Sequence, residues 1–306
     1  MILSIYLKKY NIMSTPKYTK NQFDNLFPTD EICLNFVFKK LYKNTDNCPK
    51  CTKPFKYYKL RTYKLYSCQY CGHNIAPLAN TIFHKSSTSL KDWFYAIYLF
   101  LVSKNGVSAK ELQRQLGVTY KTAWRMAHHI RKLCSTENGL LSAIVEIDET
   151  YVGGKESNKH KHKKTPDNQG RSLKTKSAIL GAIEREGNIV AKVVVDTRSS
   201  TIKPFIRENI CITTQVKTDE YKSYNSLKSM GYSHDTVDHG KKEYVRGDTH
   251  TNNLEGFWSQ LKRSINGTYH FVSPKHLQGY VNEFAFRYNN RNSNSHLFNH
   301  LLANIL

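Results

Sequence analysis

Apolar residues recur at helical spacing near the start and end of the chain and at strand spacing in between. Phe23, Leu26, Phe27, Ile32, Leu34 and Phe36 predict a helical scaffold within residues 1–46. "SLKDWFYAIYLFLVSK" opens with Ser89 and Asp92 in a capping arrangement and continues as a strongly apolar helix. Ser108 and Glu111 start another helix, Gly117 stops it, and a third reaches Cys134. After the linker Ser135 to Gly139 the period changes. "AIVEID", "SAILGAIE" and "NIVAKVVVD" predict strands, and "REGN" predicts the hairpin turn between the last two. A helical segment near Lys203 to Asn209, a strand "QVKTD" and further helices complete an α/β pattern with no internal repeat.

One helix carries more than a buried stripe. In "NNLEGFWSQLKR", residues 252–263, the core positions are Leu254, Phe257, Trp258 and Leu261, continued by Ile265. Beside them run Glu255, Ser259 and Lys262, with Asn252 one turn before the acid. An exposed ion-pairing face would explain this stripe in a lone helix.

The chain has 306 residues, enough for two or three domains, and 39% of them are hydrophobic, which suits a folded protein. Lys and Arg number 46 against 24 Asp and Glu, a formal charge of +22. That excess points to a polyanion, nucleic acid first, with an acidic membrane surface as competitor. No run of 18 apolar residues exists, so no span of a bilayer is expected. "MILSIYLKKY" lacks the pattern of a cleaved signal, and Met13 is an alternative start to Met1. A cytoplasmic, nucleoid-associated protein is expected.

Four of seven cysteines form two C-x-x-C pairs, Cys48 with Cys51 and Cys68 with Cys71, sixteen residues apart. Two such knuckles complete a closed tetrahedral Zn2+ site, a zinc ribbon spanning 47–85. Cys33, Cys134 and Cys211 read as packing residues. Residues 86–135 hold "SAKELQRQLGVTYKTAWRMAHHIRKL", which has the grammar of a helix-turn-helix. Tyr120, Lys121, Thr122 and Arg125 are expected on the face that reads DNA, with Arg131 and Lys132 towards phosphates. The basic loop 155–176, with "KHKHKK", is expected to be solvated.

Three carboxylates have a further pattern. Asp148 ends "AIVEID", Asp219 ends "QVKTD", and Glu255 follows after thirty-five intervening residues. Two Asp at strand ends and a Glu on a later helix describe an RNase H-like core that gathers acids around two Mg2+ ions, a site for phosphodiester cleavage. Glu149 and Glu146 are alternatives near the first position, and Glu146 shares a strand face with Asp148. Lys262, with Arg263 beside it, would meet the DNA backbone. Tyr151, Gly153, Gly154 and Lys155 are expected to turn after the first strand, and Arg287 and Arg291 are candidate phosphate binders.

"EIDETYVGGK", "TDEYKSY" and "HTNNLEGFWSQLKRSINGTYHFVSPKHLQGYVNEFAFRYNNR" resemble the DDE transposases of bacterial insertion sequences with an N-terminal zinc ribbon, the ISXO-like group. The resemblance runs from about Cys48 to Arg291. It implies an RNase H-like DDE catalytic domain over 140–300. It also implies binding of double-stranded DNA at terminal inverted repeats, cleavage there, and joining of 3′ ends to target DNA. A homodimer or larger synaptic complex follows from holding two ends. By position, Asp148 and Asp219 are the first two acidic ligands; Glu255 is the third by spacing, with Asn252 and Asn253 nearby. The rival from another class is a DNA-binding regulator that keeps the zinc module and helix-turn-helix over an inert catalytic domain. It would not require three correctly spaced acids.

Overall fold

The computed structural model describes residues 19–135, 139–154, 159–166, 168, 172–237, 250–291 and 297–305. The choice between Met1 and Met13, and Lys155 of the basic loop, lie outside these residues. The chain divides into two compact units, one of residues 1–133 with 293–306 and one of residues 134–292. Among the described residues no helix is long and apolar enough to cross a membrane.

In the first unit, α1 (Lys20–Leu26) begins at a capping box in which Thr19 and Gln22 satisfy each other's backbone N–H. Thr29 caps α2 (Asp30–Leu41). Three short antiparallel strands follow, β1 (Tyr57–Lys59), β2 (Tyr66–Cys68) and β3 (Asn74–Ile75). Ser89 then caps α3 (Leu90–Val102) through the Asp92 amide, as its sequence predicts. Phe298, on the chain's last helix (Leu297–Leu301), packs with its ring centre 5.2 Å from Phe27 and 5.4 Å from Phe94. The end of the chain, residues 293–306, therefore belongs to the first unit.

The second unit is built on five strands: β4 (Ile144–Gly153), β5 (Lys176–Glu184), β6 (Ile189–Val194), β7 (Gln215–Thr218) and β8 (Ser233–Thr236). Their order is β6-β5-β4-β7-β8, antiparallel on the β6 side of β4 and parallel from β4 to β8. The hairpin at "REGN" is present. Two expectations change: β4 runs five residues past Asp148, so Tyr151 and Gly153 lie in the strand and not in a turn, and β8 is an unexpected strand. The described part of the basic loop holds a short 3-10 turn, Lys161–Lys163, with exposed side chains.

Period-two alternation sorts the core onto two faces. Val145, Ile147, Leu180 and Ala182 pack with Ile202, Phe205 and Ile206 of α6 (Ser199–Asn209). Ile179 and Ile183 pack on the other face, with Leu254, Phe257 and Trp258 of α7 (Asn252–Ser264) and Val281 and Phe284 of α8 (Leu277–Asn289). Each buried aliphatic stabilises by about 1.5–3 kcal/mol. Amide side chains of α8 occupy the open edge of β6. Gln278 accepts from Val193 N and donates to Ala191 O, while Asn289 bridges both backbone groups of Ile189. An edge covered in this way is closed to pairing with another chain.

Candidate functional site

The sulfurs of Cys48, Cys51, Cys68 and Cys71 all lie within 4.8 Å of one another. Cys48 and Cys71 are 3.8 Å apart, and Cys51 and Cys68 are 3.9 Å apart. Zn–S bonds of about 2.3 Å in a tetrahedron give sulfur separations of roughly 3.8 Å, so the cluster has the size that structural zinc requires. Each pair sits on the same local turn. Thr52 (φ 58°) and Gly72 (φ 70°) adopt left-handed backbone, and their amides return to the carbonyls of Cys48 and Cys68 at 2.9 and 3.0 Å. Cys33 and Cys134 are buried outside the cluster.

Residues 108–133 form two packed helices, α4 (Ala109–Leu116) and α5 (Tyr120–Leu133). Ser108 caps the first, and Gly117 ends it at φ 64°. Thr119 caps the second through the Thr122 amide and also meets the Thr122 hydroxyl. Tyr120, Lys121 and Arg125 are exposed, as is Trp124, which the sequence reading passed over. Arg131 is not on that face. It is 2% exposed, with its guanidinium 5.2 Å from the centre of the Phe100 ring, because helical spacing from Ala127 and Ile130 carries it into the core. Lys132 is exposed.

In the second unit, β4 and β7 run in parallel register with Glu146 opposite Lys217. Two residues further, Asp148 and Asp219 stand at the same level, just where β7 ends and the sheet opens. The stripe on α7 completes a cavity of about 620 Å3 lined by Asp148, Asp219, Glu255, Ser259, Lys262 and Arg263, among others. The first two acids and the Glu are thus brought together with both expected cations. Asn252 is exposed on the first turn of α7 and does not line this cavity. Thr251, which the sequence reading did not single out, does: its hydroxyl donates to Glu255 Oε1 at 3.2 Å. Asp219 Oδ1 accepts from Tyr221 N at 3.0 Å.

Asp148 is held by Trp258, whose indole N–H donates to Oδ2 at 3.1 Å. Gly181 pairs with Asp148 across β4 and β5, and a Cβ on it would lie 2.6 Å from the Trp258 ring. Only a glycine lets the indole lie there. Burial, followed by the charges of Glu149, Asp219 and Glu255, pushes the Asp148 carboxyl from 3.8 up to about 7. Desolvation lowers the Lys262 ammonium, against the pull of Asp148.

The two alternative acids have other partners. Glu149 also lines the cavity, but its Oε2 accepts from the Tyr224 hydroxyl at 2.8 Å. Glu146 is fully buried and accepts from Arg185 Nε (2.9 Å), Asn253 N (3.0 Å), Asn253 Nδ2 (2.8 Å) and Leu254 N (3.3 Å). It thereby caps α7 from a strand more than a hundred residues away, with the carboxylate at the positive end of the helix dipole. Of the two candidate phosphate binders, Arg287 pairs with Glu283, and the exposed Arg291 bonds Gly187 O and Tyr288 O.

Residues 140–289 match the ISXO2-like transposase domain, and residues 28–74 match the transposase zinc-ribbon domain. A protein of the transposable element ISH50 from Halobacterium salinarum is 24% identical over 271 residues, 85% of this chain and 91% of its own length. A transposase-like protein of Haemophilus influenzae is 29% identical over 98 residues, 32% of this chain and 78% of its own. A chain of the simian T-cell lymphotropic virus intasome, solved in complex with the PP2A regulatory subunit B56 gamma, is 13% identical with a TM-score of 0.29. The match covers 57% of this chain and 63% of that one, too weak a likeness to bear on the fold. With a transposase zinc-ribbon domain followed by an ISXO2-like transposase domain, which implies an RNase H-like fold, the chain belongs to the ISXO-like transposase family.

Proposed function

We propose that the protein is a DNA transposase that binds the terminal inverted repeats of an insertion sequence, cleaves at their ends and joins the 3′ hydroxyls to target DNA. The observation that carries this reading is the meeting of Asp148, Asp219, Glu255 and Lys262 in one cavity. Asp148, Asp219 and Glu255 would hold two Mg2+ ions. Burial, and after it the charges of Glu149, Asp219 and Glu255, pushes the Asp148 carboxyl up to about 7, and a hard divalent cation would offset both effects. When bound, the ions supply Lewis-acid stabilisation of the attacking and leaving oxygens.

The chain's own residues set the geometry. Trp258 N–H fixes one Asp148 oxygen, Tyr221 N fixes Asp219, and Thr251 orients Glu255. Lys262 and Arg263 engage the phosphates of the strand to be cut. In the first unit, α4 and α5 act as a helix-turn-helix whose exposed Tyr120, Lys121, Trp124 and Arg125 meet DNA. The formal charge of +22 favours the polyanion throughout. Two ends must be held together, so the active species is a dimer or larger complex on nucleoid DNA.

The test is a plasmid carrying this gene with its native flanks, incubated with purified protein and Mg2+, with 3′ ends and joined products mapped. Cuts at repeat ends plus strand joining, both lost in Asp219→Asn, are expected. Specific binding to the ends with no cleavage in Mg2+ or Mn2+ would instead mark a DNA-binding regulator.

A further inference from the structure

Beyond the carboxylates lies a second cavity, of about 680 Å3, that shares Glu149, Thr150, Lys262 and Asn266 with the first. Its size falls within the range of small-ligand pockets, roughly 300–1,000 Å3. Val152, Ile265 and Val272 give it apolar walls, and Lys176, Lys262 and His270 line it as well. Its single acid among the lining residues, Glu149, accepts a hydrogen bond from Tyr224.

The backbone at the rim is unusual. After α7 the chain makes a π-helical turn, Ile265–Tyr269, and then a tight γ-turn at His270, with φ 60° and ψ −46°. Phe271 N closes it on Tyr269 O at 2.7 Å. A non-glycine residue in this conformation is strained, and strain of this kind gathers at working sites. Its result is to hold Phe271 out at the cavity rim with 72% of its surface exposed. A large aromatic ring exposed to this degree, at a cavity that two lysines also line, suits a flat, anionic-backboned ligand better than a protein surface.

We infer that this cavity receives one unstacked nucleobase of the DNA end, stacked on Phe271, with Lys176 and Lys262 on the adjoining phosphates. Asn266 is the amide placed to meet the base edge. Extracting a base beside the scissile phosphate distorts the strand there, and aromatic stacking offsets the lost base stacking. The inference rests on the proposed cleavage function of the neighbouring cavity.

The test uses the full chain and duplexes taken from the gene's native flanks. Each position around the mapped cleavage site is replaced in turn by 2-aminopurine or by an abasic nucleotide. Phe271→Ala removes an exposed side chain, so folding has little to lose. Roughly tenfold slower cleavage by Phe271→Ala on intact DNA is expected, in line with the worth of one base–aromatic stack. At one position an abasic nucleotide brings variant and wild type to the same rate, and 2-aminopurine there brightens with wild type alone. Wild-type cleavage with no positional signal, or equal rates on intact DNA, overturns the base site and leaves the transposase reading standing. A Phe271→Ala defect that tracks loss of a dimer in sedimentation, without a positional signal, also overturns it. If wild type cuts none of these duplexes, both readings fail.

Discussion

Strand β4 carries two acids on one face, two residues apart, in opposite environments. Glu146 is fully buried, with donors from Arg185, Asn253 and Leu254, and His250 Nδ1 3.3 Å away. Its charge is spent on docking α7 to the sheet. Asp148 lies beyond the end of the parallel ladder, steadied by Trp258 and surrounded by other acids. A carboxylate matched with donors is structural, whereas one buried beside like charges is neutralised by a proton or by a cation from outside. Because Glu146 takes the first amides of α7, Thr251 makes no side-chain cap and its hydroxyl is turned to Glu255. The sealed end of the strand thus prepares the open end.

The largest way to break this comparison is Asp148→Asn. Cleavage is expected to fall at least about a thousandfold, since losing a metal ligand removes several kcal/mol of transition-state stabilisation. Binding to the DNA ends, read by gel shift, should persist. Glu146→Ala should do the reverse. It leaves buried donors without their acceptor and destabilises the second unit by about 3 kcal/mol in urea unfolding. Cleavage per folded molecule is expected to fall far less than in Asp148→Asn.

The pH response sharpens the contrast. The raised pKa of Asp148 means that between about 4 and 7 the folded state binds the extra proton. Metal-free stability therefore falls as pH rises through that window, by something on the order of 2 kcal/mol. Asp148→Asn should flatten this slope, and added Mg2+ should offset the loss in the wild type, both read from urea midpoints at pH 5 and pH 8. The smallest effect belongs to Gly181→Ala. The new methyl pushes on the Trp258 ring and costs about 1–2 kcal/mol. A lowered Mn2+ affinity beside that modest loss would tie the indole to the placement of Asp148.

What the sequence made legible follows from how local each feature is. The zinc cluster needs only two knuckles within twenty-four residues, and its spacing was sufficient. The buried stripe and the polar stripe of α7 were also readable, because helical period alone sets them. Strand β8 was not, since "SHDT" is polar. It pairs because His234 is buried against Thr218 at 2.8 Å and Asp235 meets Lys217 at 2.9 Å, partners supplied by another strand. The separate fates of Glu146 and Asp148 were equally hidden, for pattern puts both on one face and only the docking of α7 tells them apart. Arg131 could have been read from its spacing after Ala127 and Ile130. Trp258 was placed in the core correctly, while its N–H bond to Asp148 depends on the space above Gly181.

The central claim is that Asp148, Asp219 and Glu255 together form the divalent-cation site, and that Glu146 and Glu149 do not. Mn2+ binding followed by electron paramagnetic resonance tests it most directly, on the wild type and on each acid changed to its amide. Loss of binding in Asp148→Asn, Asp219→Asn and Glu255→Gln, with retention in Glu146→Gln and Glu149→Gln, is the predicted result. Undiminished Mn2+ binding in Asp148→Asn, or its loss in folded Glu146→Gln, would contradict the account.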